Sequence, residues 1–97
     1  MKLPISQGKL VEICQKNDIV ALGVFGSFAR GDFGPKSDVD FLVEFSKEKP
    51  KSFLDLVGAQ LDFEDAIGRK VDLLTEGSIS PYLIDRVKSE VQYIYKI

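Results

Sequence analysis

The sequence predicts an α/β (α+β) fold: a small mixed β-sheet of about four strands with helices packed on it. Three observations carry this expectation. Segments with helical spacing of apolar residues alternate with short segments of strand character. The run from Ile19 to Phe25 is almost continuously apolar, as in a strand covered on both faces. Gly34-Pro35, Gly68 and Gly77-Ser78 punctuate the chain between these segments. No internal repeat is visible, and the 97 residues read as one domain, 1–97. A chain of this length buries roughly 60% or a little more of its unfolded surface, a modest but sufficient core.

Taken in order, Ser6 is placed to cap a first helix whose apolar face carries Leu10, Val11, Ile13 and Cys14 and which ends near Lys16-Asn17-Asp18. The strand Ile19 to Phe25 follows, then a short helical turn from Ser27 to Gly31 and a polar loop. A second strand runs from about Asp38 to Phe45, with Val39, Phe41 and Val43 alternating against Asp38, Asp40 and Leu42. Ser52 can cap a helix turning Phe53, Leu54, Val57, Leu61 and Ile67 inward, with Gly68 at its end. Val71 to Thr75 is the third strand. Ser80-Pro81 has the form of an N-cap and first helical residue, opening a helix with Leu83, Ile84 and Val87 inward. Val91 to Tyr95 is the last strand.

The chemistry concentrates between Gly26 and Val43. Ser27 stands at the start of a helical turn, where free backbone N–H groups and the helix dipole favour a phosphate. Gly26, lacking Cβ, lets a phosphate approach the main chain. Ser27 can donate its hydroxyl, and Arg30, three residues on, can add a charge-assisted bond. Asp38 and Asp40 share one strand face about 7 Å apart at the backbone, from a rise of about 3.4 Å per residue. Such hard oxygen ligands suit Mg²⁺, which shares its shell between carboxylates, water and substrate phosphates. A two-metal site asks for one more carboxylate from a neighbouring strand, and Asp72 offers it. Ser37, before Asp38, is a further candidate to reach a phosphate.

Gly26-Ser27, ten intervening residues, then Asp38-x-Asp40, with Arg30-Gly31 between and Asp72 on a later strand, resembles the nucleotidyltransferase superfamily related to DNA polymerase beta. More narrowly, the chain is similar to the minimal nucleotidyltransferases of the MNT type, the antitoxin half of HEPN/MNT pairs. The resemblance implies that Asp38, Asp40 and Asp72 are catalytic and hold two Mg²⁺ ions, and that Gly26, Ser27, Arg30 and Ser37 bind the nucleoside triphosphate. It also implies that the strands of Asp40 and Asp72 are neighbours. The implied reaction is transfer of AMP from ATP to a tyrosine hydroxyl of a HEPN ribonuclease toxin. Two other readings stand beside it: a binding module that neutralises its partner by occupying its surface, and a transferase acting on a small molecule such as an antibiotic.

Composition narrows the classes. A net charge of −2 gives no general basic field, so an extended nucleic-acid surface is not expected. There is no histidine, which leaves a carboxylate, Asp72, as the proton acceptor. Cys14 is the only cysteine, so it forms no intrachain disulfide and is read as core. Met1-Lys2-Leu3-Pro4 lacks the apolar run of a signal peptide, and no stretch reaches the length of a membrane span, so the expected location is the cytoplasm. The sequence leaves the oligomeric state open.

Overall fold

The computed structural model describes residues 3–97. Met1 and Lys2, part of the segment read above as no signal peptide, lie outside the described residues. Helices α1 (Gln7–Lys16), α2 (Ser27–Arg30), α3 (Phe53–Ile67) and α4 (Ile84–Glu90) alternate with strands β1 (Ile19–Phe25), β2 (Val39–Phe45), β3 (Val71–Leu74) and β4 (Gln92–Lys96). The four strands form one sheet in the order β3-β2-β1-β4. β1 pairs antiparallel with both β2 and β4, whereas β2 and β3 run parallel, so the sheet is mixed. The parallel pair needs a crossover, and α3 supplies it.

The local signals explain most of these elements. The Ser6 hydroxyl accepts from the Lys9 N–H at 3.2 Å and starts α1. Ser52 and Asp55 form a reciprocal capping box at the start of α3. Gly68 ends α3 in the left-handed region and donates its N–H to the Glu64 carbonyl at 2.8 Å. The Glu64 carboxylate then accepts the Val71 N–H at 2.9 Å, which ties the end of α3 to the start of β3 and fixes where Asp72 emerges.

The main core lies on one face of the sheet, where Leu22, Val24, Phe41, Val43, Val71 and Leu73 meet α1 and α3. Cys14 is fully buried within it. Burial pushes its thiol up to about 12. A thiol reagent at pH 8 is therefore expected to label native protein about a thousandfold more slowly than unfolded protein, because the thiolate is the reactive form. Equal rates with and without denaturant would contradict the burial. The opposite face is covered less completely, by Phe25, Leu42 and Val87 with Leu74, Ile79 and Val91 against them.

Several expectations change. β2 begins at Val39, leaving Asp38 just ahead of the strand, and β3 stops at Leu74. The final strand is shifted by one residue, to Gln92–Lys96. Ser80-Pro81 opens a turn in which the Ser80 carbonyl accepts from both Leu83 and Ile84, and the regular helix begins only at Ile84. Leu83 is thus exposed, while Val87 is buried. The largest correction concerns α3, where Phe53, Leu54 and Leu61 point to solvent at 75%, 78% and 56% exposure. Ile67 is buried as expected, and Ala59 and Phe63 face the sheet in place of the exposed residues. The helix carries two apolar stripes, and the one with Phe63 wins because its ring meets Phe41 edge-on at 5.1 Å. Among the described residues no helix is long and apolar enough to cross a membrane.

Candidate active site

Strand register builds the site. Phe25 is opposite Asp40 across the β1–β2 ladder, and Asp40 is opposite Asp72 across β2–β3. Gly26, Asp40 and Asp72 therefore stand almost in a row across one end of the sheet. The two carboxylates emerge on the face that carries Leu42, away from α1 and α3.

Gly26 leaves β1 with φ 74° and ψ −150°, a region open essentially to glycine. A Cβ there would collide with the Asp40 carboxylate and sit 3.2 Å from its Cγ. Close approach of the Asp40 carboxylate thus calls for glycine here, independently of the phosphate approach expected from the sequence. Ser27 opens α2, Arg30 donates its backbone N–H to the Gly26 carbonyl at 3.0 Å, and Gly31 closes the turn.

A cleft of about 450 Å³ opens at this end of the sheet. Gly26, Ser27, Arg30, Ser37, Asp38 and Asp40 form one wall, while Leu83, Arg86, Val87 and Glu90, from α4 and the turn before it, form the other. Asp72 does not line the cleft but stands beside Asp40. Asp40 is half-buried, and its carboxyl is pushed up to about 6, chiefly by burial and then by the charge and hydrogen bond of Asp72, with Asp38 adding to it. Crowded carboxylates of this kind are neutralised either by a proton or by a cation.

Arg30 does not point freely into the cleft. It reaches Asp32 at 3.2 Å and Glu90 at 3.2 Å, and Arg86 also holds Glu90, at 3.3 Å. The Ser37 hydroxyl accepts the Gly34 N–H at 2.7 Å, so part of its hydrogen-bonding capacity is used within the loop. That loop is braced by Arg69, whose guanidinium donates to the carbonyls of Gly34 at 2.9 Å and Ser37 at 3.1 Å and lies 5.1 Å over the Phe28 ring. Phe33 stacks on Phe28 at 4.2 Å. Sequence reasoning missed Arg69, Arg86 and Glu90. Arg69 reads as a basic helix end, and nothing in the local pattern brings α4 across from Gly26.

The donor set fits Mg²⁺. The charged groups of the lining are three carboxylates (Asp38, Asp40, Glu90) against two guanidiniums (Arg30, Arg86), a balance of −1. All candidate ligands are hard oxygens. Among the described residues no trio of His, Cys, Asp and Glu is drawn together as a ready-made metal cage.

The family model for the nucleotidyltransferase domain matches residues 8–94. The chain belongs to the nucleotidyltransferase domain family. It is 42% identical over 82 residues to a protein of Methanocaldococcus jannaschii named as a protein adenylyltransferase, covering 84% of this chain and 86% of that relative. Its fold superposes on a chain of a toxin–antitoxin complex solved with AMP-PNP, with a TM-score of 0.78 and 19% identity over 96% of this chain and 75% of the other. It also superposes on a chain from a tri-AMPylated HEPN toxin of Shewanella oneidensis in complex with MNT antitoxin, with a TM-score of 0.68 and 17% identity over 94% and 70%. At those identities the two structures establish the fold.

One expectation arises from the Glu90 contacts in this candidate cleft. If a triphosphate must take Arg30 from Glu90, Glu90→Gln tightens ATP binding by about fivefold. Calorimetric titration of ATP decides the sign, and weaker binding would make Glu90 a support for Arg30 rather than its competitor.

Proposed function

We propose that this chain transfers AMP from ATP to a hydroxyl of a partner protein, a HEPN-type toxin, and silences it. The observation that carries the reading is the row of Gly26, Asp40 and Asp72 across the sheet end, with Asp38 beside it on the cleft wall.

In this reading the β- and γ-phosphates lie against Gly26 and Ser27, with Arg30 and Ser37 donating to their oxygens. Asp38, Asp40 and Asp72 would hold Mg²⁺, two ions in the full arrangement, which when bound supply charge neutralisation for the phosphates and the leaving pyrophosphate. The acceptor oxygen attacks the α-phosphorus and forms a new P–O bond while the bond to pyrophosphate breaks. Asp72 takes the hydroxyl proton, since the chain has no histidine to do so. Placing the groups in line is the protein's main contribution to such chemistry. Protein adenylyltransferase as the name of a relative that matches most of this chain supports a protein acceptor. The AMPylated HEPN toxin in a structural neighbour supports the identity of the partner. A cytoplasmic site of action goes with such a partner.

The test is intact mass spectrometry of a HEPN partner protein after incubation with this chain, Mg²⁺ and each of the four nucleoside triphosphates. A gain of one or more AMP groups with ATP alone is the expected result. A tight complex with no mass gain would leave neutralisation by occupancy as the function.

A further inference from the structure

The outward side of α3 carries apolar residues that the chain itself does not use. Leu54, Gly58, Leu61 and Asp65 follow one another at helical spacing down that side, with Val57 half-buried on one flank. Leu54 and Leu61 are 78% and 56% exposed. At the centre stands Gly58, where an added Cβ would meet nothing within 4 Å. Glycine is the poorest helix former after proline, and neither crowding nor left-handed backbone within the chain asks for it here. A residue without a side chain, between two exposed leucines in mid-helix, makes sense where another helix crosses closely, since interaxial distance is set by the side chains at the contact.

Charge selects the occupant. α3 carries Asp55, Asp62, Glu64 and Asp65 and not one lysine or arginine. Glu64 is spent on the Val71 N–H and Asp62 pairs with Lys16 at 3.4 Å and accepts from Asn17, while Asp55, in the Ser52 capping box, and Asp65 border the leucine stripe without an ion-pair partner among the described residues. Two copies of this chain crossing at Gly58 would set these acids against each other, and like-charge juxtaposition opposes association. We propose that this face seats an α-helix of a partner protein, apolar along its centre and flanked by lysine or arginine. The proposal rests on the protein-partner reading above and adds where the partner is held. α3 covers the sheet face opposite Asp40 and Asp72, so a helix bound here leaves the cleft open to ATP and to a hydroxyl carried elsewhere on the partner.

The test titrates a purified HEPN partner protein into the wild-type chain, Gly58→Leu and Leu61→Asp by calorimetry, with ATP titrated in parallel and light scattering on the free chains. Gly58→Leu fills the notch without touching the core, and Leu61→Asp adds a charge to the stripe. Each is expected to weaken partner binding at least about tenfold while ATP affinity stays as in wild type. Wild-type partner affinity in both variants, with AMP transfer intact, overturns the docking face and leaves the function standing. No complex with the wild-type chain removes both together. Self-association of wild type that Leu61→Asp abolishes would make the occupant a second copy and overturn the choice made on charge.

Discussion

Asp40→Asn is expected to lower nucleotidyl transfer by about a thousandfold or more and, in the absence of divalent metal, to raise the melting temperature. In the proposed mechanism the loss follows from removing a charged carboxylate at the centre of the site, where electrostatic stabilisation of the reacting phosphate would be concentrated. The gain follows first from no longer burying a charge and then from relief of the crowding. Asn keeps the shape of Asp beside Gly26 but cannot be repelled by Asp72 and Asp38. A carboxyl raised from 3.8 to about 6 corresponds at most to about 3 kcal/mol of unfavourable interaction at neutral pH. Solvent screening at a half-exposed site reduces this to about 1 kcal/mol, or about 4–8 °C for a domain of this size. Thermal unfolding with and without Mg²⁺ checks it. An Asp40→Asn variant that melts below wild type in metal-free buffer would mean that the carboxylate is stabilising.

The pH dependence has a definite sign. The folded state takes up a proton at Asp40 near pH 6, whereas the unfolded chain does so only near 3.8. Between those values the native state binds more protons, so stability from this group is fully present below about 3.8 and is lost as pH rises through about 6. Subtracting the Asp40→Asn profile from that of wild type isolates what depends on the Asp40 carboxylate, its coupling to Asp72 and Asp38 included.

How legible the molecule is in its sequence depends on whether a feature is local. The Ser6 and Ser52 caps, Gly31 and Gly68 as helix ends, and the alternation of Asp38 to Val43 are set by neighbours in the chain, and they placed the elements within a residue or two. Asp40 beside Asp72 is a pairing between strands, and periodicity alone does not give strand order; the resemblance supplied it, and the register Asp40↔Asp72 realises it. α3 misled because Leu54, Val57 and Leu61 and, separately, Leu56, Ala59 and Phe63 both satisfy helical spacing. Only the sheet decides which stripe is buried. Arg86, Glu90 and Arg69 reach the site from distant parts of the chain, through contacts such as Arg30 with Glu90, and have no local signature.

Gly26→Ala is expected to be strongly destabilising, and the comparison with Gly31→Ala shows why. Both glycines have positive φ, 74° and 81°, so an alanine at either is strained. At Gly31 the backbone is in the ordinary left-handed region and the new methyl meets nothing within 4 Å, so the cost is about 1 kcal/mol. At Gly26 the angle pair lies where side chains are essentially excluded, and the methyl is driven into the Asp40 carboxylate. A loss of about 2–4 kcal/mol is expected from the two effects together. A double-mutant cycle separates them: adding Asp40→Ala removes the obstacle, so the cost of Gly26→Ala should fall toward the backbone strain alone. Additive losses in denaturant unfolding would show that the carboxylate moves aside freely. In that case Gly26 is required for backbone conformation and phosphate approach only, and not to make room for Asp40.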